Sequence, residues 1–531
     1  VEPTTIDQIN NYILNNHEDI FSNNKAEVVT SYRLRSWIDE SVDTSKFNAK
    51  KYSYKFRVNI NSGNSASSSG SVPLDESGAN RPLLTSNMIP VYYDDASKEW
   101  KKASTTKGDT SNKWYDYDNK MWANAVTVSE TNRQTYLKAD AGTTISMSDI
   151  NTMWVWVPRY TYTYLNTNTP QEIKIKFESG TASTGTIKCT DNVIGTSSAS
   201  ETCTDTTNGG LKAGTSTYTH PAFWWDKNDN NVREENEELT GIWVGKFEVS
   251  SDTSCTLNAY DGVGSGCNLQ TIRPQIKPNV TSWRGAQVGT FFNGIQKMRE
   301  LGNQYGFATT DETHMMKNME WGAATYLSHS KYGINKEVAI NSANTSTTGC
   351  GPQSDGSTSS GATCNSYTTT LGQSASTTGN VYGVYDMSGG SWEYMMGNMV
   401  YSNGQQMSGN STYNNYNSAF TGILYSNGRE ISFTGTYAFP SKRYYDKYSY
   451  SESYTVYTRG KLGDATKEMA PTGDTGNWYL DYAYFVNSSY PWFVRGGNYN
   501  NGASAGAFFF YKDSGGAYTS GSARAVISNL N

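Results

Sequence analysis

The spacing of six cysteines constrains this chain more than any other single feature. They fall as Cys189/Cys203, Cys255/Cys267 and Cys350/Cys364, separated by 14, 12 and 14 residues, and each pair brackets Gly, Ser, Thr and Asn. Six cysteines allow about 15 pairings, but pairing neighbours closes three short loops, each worth about 2–3 kcal/mol by loop entropy. Metal sites more often bring CxxC spacings and histidine, and the chain has only 4 His. Neighbour disulfides are therefore expected, and with them an oxidising, extracellular setting. Three local loops do not hold 531 residues together, so the cores must come from elsewhere.

They come from aromatics. Only 17 % of residues are charged, against a norm of ~25 %. A chain so rich in uncharged polar residues would read as disordered, but 14 Trp, 39 Tyr and 17 Phe argue for folding, because disordered segments are poor in aromatics. The length fits two to four domains. A net charge of −6 gives no electrostatic footprint for a nucleic-acid partner. No apolar run approaches the ~18 residues of a membrane span. Val1-Glu2-Pro3 is no signal peptide, so export implies a targeting or anchor segment removed before Val1.

Periodicity divides the chain. Ile6, Ile9, Ile13 and Ile20 predict an amphipathic helix over residues 4–22. Tyr52, Tyr54, Phe56, Val58 and Ile60 alternate as a half-buried strand, and Asn61 to Asn80 is a Gly/Ser-rich linker. The pieces from Tyr93 to Ala103 and from Tyr115 to Ala125 resemble each other as strand-turn-strand units, and Trp154–Val157 and Ile173–Phe177 add strands. Residues 178–217 are low complexity around the first cysteine pair. Val288, Phe291, Phe292, Ile295 and Met298 share one helical face. A second helix is expected from Asp311, with Asp311 or Thr310 as cap, to Leu327, carrying Met315, Met316 and Met319 as core filler. The expected domains are 1–80, 81–215 (β-rich) and 216–531.

Chemistry-bearing motifs are few. Gly502-Ala503-Ser504-Ala505-Gly506 matches G-x-S-x-G, but no helix is expected after it and no His follows His329, so it is no nucleophile elbow. HExxH, P-loop and Rossmann patterns are absent, and His17, His220, His314 and His329 are scattered. One metal pattern stands out. Asp226, Asn228, Asn230, Val232 (through its carbonyl) and Glu237 follow the ligand order of an EF-hand-type loop. Asn231 replaces the usual Gly, and Phe223-Trp224-Trp225 before the loop reads as a strand. A structural calcium ion is expected there; a solvated acidic hairpin is the other reading of the same residues.

Roughly the last 315 residues of the chain resemble a known family. Thr310-Asp311-Glu312 leading to Glu320-Trp321-Gly322-Ala323-Ala324 is similar to the "T-E-A-E-W-E-Y-A-A" segment of formylglycine-generating-enzyme-type domains. Gly383 to Glu393 resembles their "G-L-Y-D-M-S-G-N-V-W-E-W", Val494-Arg495-Gly496-Gly497 their "R-G-G-S-W", and Ala523-Arg524-Ala525-Val526 stands where the closing "G-F-R" occurs. The resemblance implies a C-type-lectin-like domain, mixed α and β with much irregular structure; with the β-rich regions that precede it, the expected fold class is α+β. The family's enzymes bind copper through C-terminal cysteines. This chain has none after Cys364, so neither copper nor that oxidation is expected.

A narrower resemblance concerns residues 495–527, which look like the variable region of proteins diversified by retroelements. Those systems randomise adenines, often in AAC codons. Ser504, Phe509, Tyr511, Asp513, Ser514, Gly516, Tyr518, Ser520 and Gly521 are all reachable from AAC in this way, while Ala505, Gly506, Phe508, Phe510 and Thr519 would be fixed. Lys512 and Ala523 depart from the pattern. A Gly/Ser-rich closing hairpin of fixed sequence is the alternative. Tyr with Ser, Gly and Asp is also the vocabulary of antibody loops. Weaker similarity joins the upstream segments to pilin-like surface proteins of Gram-positive anaerobes. The expectation is an extracellular, non-enzymatic adhesin or receptor-binding protein on a bacterial surface or phage particle, its partner a protein or glycan on another cell or phage. The rivals are a self-assembling subunit of a surface filament or pilus, and a copper-free relative of the formylglycine enzymes.

Overall fold

The computed structural model describes residues 73–189, 203–230, 233–251, 273–299, 304–354, 357–400, 424–426, 429–431, 440–455, 459–471, 477–516 and 518–529. The chain divides into two units, 1–67 and 68–531. The expected helix at 4–22 and strand at 52–60 lie outside the described residues, as do Cys255, Cys267 and Val232.

Within the second unit the elements used below are β1 (Ile89–Asp94), β2 (Glu99–Lys102), β3 (Asn124–Val128), β4 (Ile150–Pro158), β5 (Gly241–Gly245), α1 (Val288–Gln296), β6 (Thr313–Met315), α2 (Asn318–Ser328), β7 (Trp392–Met399), β8 (Asp446–Tyr448), β9 (Trp492–Gly496), β10 (Gly506–Asp513), β11 (Gly521–Ala523) and β12 (Ala525–Ile527). The fold mixes α and β, as expected. A seven-stranded sheet runs in the order β6-β12-β5-β4-β3-β1-β2, and a smaller one runs β8-β7-β9-β10 with β11 also paired to β7.

The large sheet crosses the boundary expected at residue 215. β4 pairs antiparallel with β5 from Gly241↔Pro158 to Gly245↔Trp154, so the expected 81–215 and 216–531 pieces share one sheet and one core. Local composition misled here: the Ser/Thr/Gly stretch that resembles a linker is an excursion between two strands of the same sheet. Trp156 and Trp243, on those neighbouring strands, meet edge to face at 5.2 Å. Both are buried, and their indole N–H groups donate to the carbonyls of Asn80 and Leu83, which keeps large amphipathic rings satisfied inside a core.

Of the two resembling aromatic units, the first is a hairpin with Tyr93 opposite Trp100. The second is instead a 3-10 turn, Tyr117–Asn119, whose cap Asp116 accepts from Asn119 N, followed by β3. The helix around Val288 forms as expected, with Val288, Phe291, Phe292 and Ile295 buried; Met298 follows in a 3-10 turn. The second helix starts later than expected. Thr313–Met315 is strand β6, drawn into the sheet by pairing with β12, Thr313 opposite Ile527 and Met315 opposite Ala525. The helix then begins at Asn318, where Glu320 Oε2 accepts from Lys317 N at 2.8 Å. Met315, Met316 and Met319 are buried, as core filler should be. Tertiary pairing here overrides a local helix signal.

Two expected disulfides are present. Cys189 and Cys203 face each other across a two-stranded ladder and are bonded, and Cys350 is bonded to Cys364. Among the described residues no helix is long and apolar enough to cross a membrane.

Arg524 ties the two sheets together. It stands between β11 and β12, fully buried. Its Nε and Nη2 donate to the two carboxylate oxygens of Glu393 on β7 at 2.8 and 2.5 Å. Nη1 donates to Gly245 O on β5 and Nη2 to Tyr385 O. Arg524→Leu would strand a buried carboxylate, so urea denaturation should show a loss of about 3–5 kcal/mol, with partial recovery in the double variant Arg524→Leu, Glu393→Leu.

Candidate ligand-binding surface

β10 is bonded along both edges. On one side it pairs with β9, Arg495 opposite Phe510 and Val494 opposite Tyr511. On the other, Phe510 N donates to Tyr482 O and Tyr484 N donates to Phe510 O, each at 3.0 Å. Strand alternation then sorts the side chains. Phe508 turns toward Trp478 and His329, with ring centroids 4.9 and 5.6 Å away, and Phe510 lies beneath the Arg495 guanidinium. Phe509 and Tyr511 stack on the opposite face, 6.2 Å apart.

That outer face is built of tyrosine. Tyr482 meets Phe509, and Tyr484 meets both Tyr511 and Tyr454 at 5.2 and 5.3 Å. Lys512 Nζ sits over the rings of Tyr490, Tyr454 and Tyr511 at 4.2, 4.9 and 5.6 Å. The supporting loops are held by Arg459, which is buried. It donates to the carbonyls of Ser449, Ser453 and Val486 and lies over Phe485.

Among the described residues, the large apolar side chains that stand well exposed are Tyr450, Tyr454, Leu480, Tyr482 and Tyr490. All come from residues 450–490, and Tyr454, Tyr482 and Tyr490 join the β10 face through the contacts above. Among the described residues, the hydroxyls of Tyr454, Tyr482, Tyr484, Tyr490 and Tyr511 have no hydrogen-bond partner. Core tyrosines differ: Tyr117, Tyr160, Tyr162 and Tyr326 all donate to buried carbonyls or to Glu468. Beside this face Tyr479 and Leu480 take φ of 62° and 71°, a conformation that costs bulky residues energy. It leaves Leu480 74 % exposed. Asp481, next in the chain, is buried and accepts from Phe508 N. A Cβ on Gly506 would lie 2.1 Å from its carboxylate, so only glycine fits at the start of β10.

The nine residues expected to bind ligand are split by this geometry. Ser504, on a 3-10 turn, and Tyr511, Tyr518 and Ser520 reach the surface in part. Phe509, Asp513, Ser514, Gly516 and Gly521 are buried. Asp513 accepts from Tyr394 OH and Gly515 N, and the Gly516 carbonyl also accepts from Tyr394 OH. Ser504 and Tyr511 adjoin the tyrosine face through Tyr482 and Tyr484, whereas Ser520 O takes Trp392 N and Tyr518 O takes Gly285 N. Sequence reading missed Tyr454, Tyr482, Tyr484 and Tyr490, which lie outside residues 495–527. Their one signal was the alternation Tyr482-Ala483-Tyr484.

The expected calcium loop has its oxygens engaged within the protein. Glu237 Oε2 accepts from Trp224 Nε1 and Oε1 from Lys227 N, both at 3.0 Å. Asn228 and Asn230 turn their amide groups toward Glu234, and Asp226 Oδ1 accepts from Asn230 N. Among the described residues no group of three or more His, Cys, Asp or Glu is placed to hold a metal ion. As arranged, these side chains do not fit a ready-made bidentate calcium site. The described histidines are engaged elsewhere, His220 with Gly463 O, His314 with Glu320 and His329 with Tyr479 OH; none of these bonds involves Ser504.

No family model matches this chain, and no curated protein matches it.

Burial pushes the Asp513 carboxyl up to about 6, against ~3.9 when unfolded. Between those values the folded state holds a proton that the unfolded state has released. Stability from this group is therefore full below about pH 4 and falls as pH rises to about 6. Asp513→Asn keeps an acceptor for Tyr394 and Gly515. The stability of the native chain relative to this variant should fall by up to about 3 kcal/mol over that range in pH-dependent denaturation.

Proposed function

We propose that this chain is an extracellular, non-enzymatic ligand-binding protein, an adhesin or receptor-binding module, whose binding surface is the tyrosine face around β10. The clustering of exposed tyrosines with unpartnered hydroxyls beside the retroelement-like segment carries this reading. Contiguous exposed apolar surface marks interaction sites. Tyrosine supplies a large, fairly rigid contact area with a polar tip, while neighbouring Ser, Gly and Asp adapt to the partner. The two disulfides are compatible with an oxidising location. The scaffold is read as C-type-lectin-like, and the part-exposed residues of 495–527 as positions that vary while Phe508 and Phe510 hold the frame.

Two measurements test this. Deep sequencing of codons 495–527 in a growing source population should find changes concentrated at Ser504, Tyr511, Tyr518 and Ser520, where a neighbouring template copy has adenine. Invariant codons without such a copy would leave a fixed binder and remove the diversification. Separately, Tyr482→Ser with Tyr490→Ser should leave Tm within about 2 °C, since exposed side chains contribute little to stability, yet abolish attachment of the labelled protein to target cells. Concentration-dependent assembly lost in the same double variant would replace this reading with a filament subunit.

A further inference from the structure

Lys512 distinguishes this face from a merely apolar one. Its Nζ is ringed by Tyr490, Tyr454 and Tyr511, yet among the described residues it donates no hydrogen bond and forms no ion pair. A second caged lysine in the same molecule shows what a complete protein-filled site looks like. Lys246 Nζ lies over Trp100, Phe247 and Tyr385, and its three donors reach Asn124 Oδ1, Val381 O and Gly383 O at 2.9, 2.6 and 2.9 Å. Lys512 has the aromatic cage without the acceptors. It is half-buried, and its neighbour Asp513 is turned inward onto Tyr394 and Gly515. Among the described residues, an ammonium group so placed lacks an anion.

The chemistry around it narrows what brings that anion. One cation on a chain of net charge −6 suits a ligand with a single local charge, not a phosphate backbone, whose binding rests on several neutralised phosphates. Peptides often bind by adding a strand to a free sheet edge, but β10 is bonded on both edges. What the face does offer is tilted phenol rings, 57° between Tyr454 and Tyr484 and 80° between Tyr484 and Tyr511, each tipped by an unpartnered hydroxyl. Apolar plates bordered by donors and acceptors complement a pyranose, which presents a C–H face rimmed with hydroxyls. Resting on the reading of this face as a binding site, we infer that it recognises an acidic glycan, with sugar rings on the tyrosines and a uronic- or sialic-type carboxylate on Lys512.

The test uses the intact protein and three probes of defined structure. These are a glucuronate-containing tetrasaccharide, the same tetrasaccharide with its carboxyls methyl-esterified, and an acidic peptide. The tetrasaccharide should bind, and esterification should weaken it by about tenfold or more, the loss of one charge-assisted contact. Lys512→Gln should weaken the acid by a similar factor and leave the ester unchanged, while Lys512→Arg retains most of the affinity. Tyr490→Ser should weaken both sugars. A sialylated and a galacturonate oligosaccharide, run in parallel, separate the sources of the carboxylate. Binding that survives both esterification and Lys512→Gln, or failure of all three acidic oligosaccharides, overturns the assignment. If only the acidic peptide binds with dependence on Lys512, the glycan is wrong and the binding face stands. If the Tyr482→Ser, Tyr490→Ser double variant still attaches to cells, the face itself has been misplaced.

Discussion

The rest of the structure depends on one buried guanidinium. Arg524 makes a two-pronged ion pair with Glu393 and also donates to Gly245 and Tyr385, so a single side chain bonds to both sheets at once. Its surroundings show why it is hard to replace. Glu248 and Asp386 lie close by, fully buried. Burial, reinforced by the neighbouring Asp386 and Glu393 charges, pushes the Glu248 carboxyl well above the usual carboxylate range. Backbone and side-chain amide donors absorb part of the remaining charge. Asp386 accepts from Gly349 N and the Asn341 amide, and Glu248 from Ser391 N. Three carboxyl groups around one arginine are tolerated because nearly every oxygen has a specific donor, the condition under which buried polar groups specify an arrangement rather than undermine it.

How much of this was legible in the sequence follows from which interactions are local. The disulfides Cys189–Cys203 and Cys350–Cys364 close short loops, and spacing alone pointed to them. The helix at Val288–Gln296 announces itself by periodicity, because its buried face is a property of its own residues. The strand at Thr313–Met315 does not, since its partner is Ala525–Ile527 and no window of sequence contains both. The failed boundary near residue 215 has the same cause: β4 and β5 are separated by a long Ser/Thr-rich excursion, and composition reports the excursion rather than the pairing.

The candidate surface was legible only in part, for a geometric reason. Codon logic treats residues 504–521 as a list, but a strand sends successive side chains to opposite faces. Phe509 and Tyr511 therefore stand apart from Phe508 and Phe510, and the turn after Asp513 is folded inward by Tyr394. The missing half of the surface comes from Tyr454, Tyr482, Tyr484 and Tyr490, which reach β10 only after the chain has folded back on itself. The same arrangement separates tasks. Backbone bonds on both edges of β10 and the inward phenylalanines hold the strand, while Tyr511 and the loop tyrosines form its outer surface.

The placement of β12 has a consequence for how the molecule is made. Ile527 pairs with Trp243 and Thr313, so one end of the large sheet is joined by a segment synthesised hundreds of residues after its neighbours. Contacts of such long sequence separation slow folding, because loop-closure entropy precedes any gain. Until residue 527 has emerged, β5 and β6 lack the strand that lies between them, and Glu393 lacks Arg524. The chain is thus held back from its final state until its synthesis has passed that point.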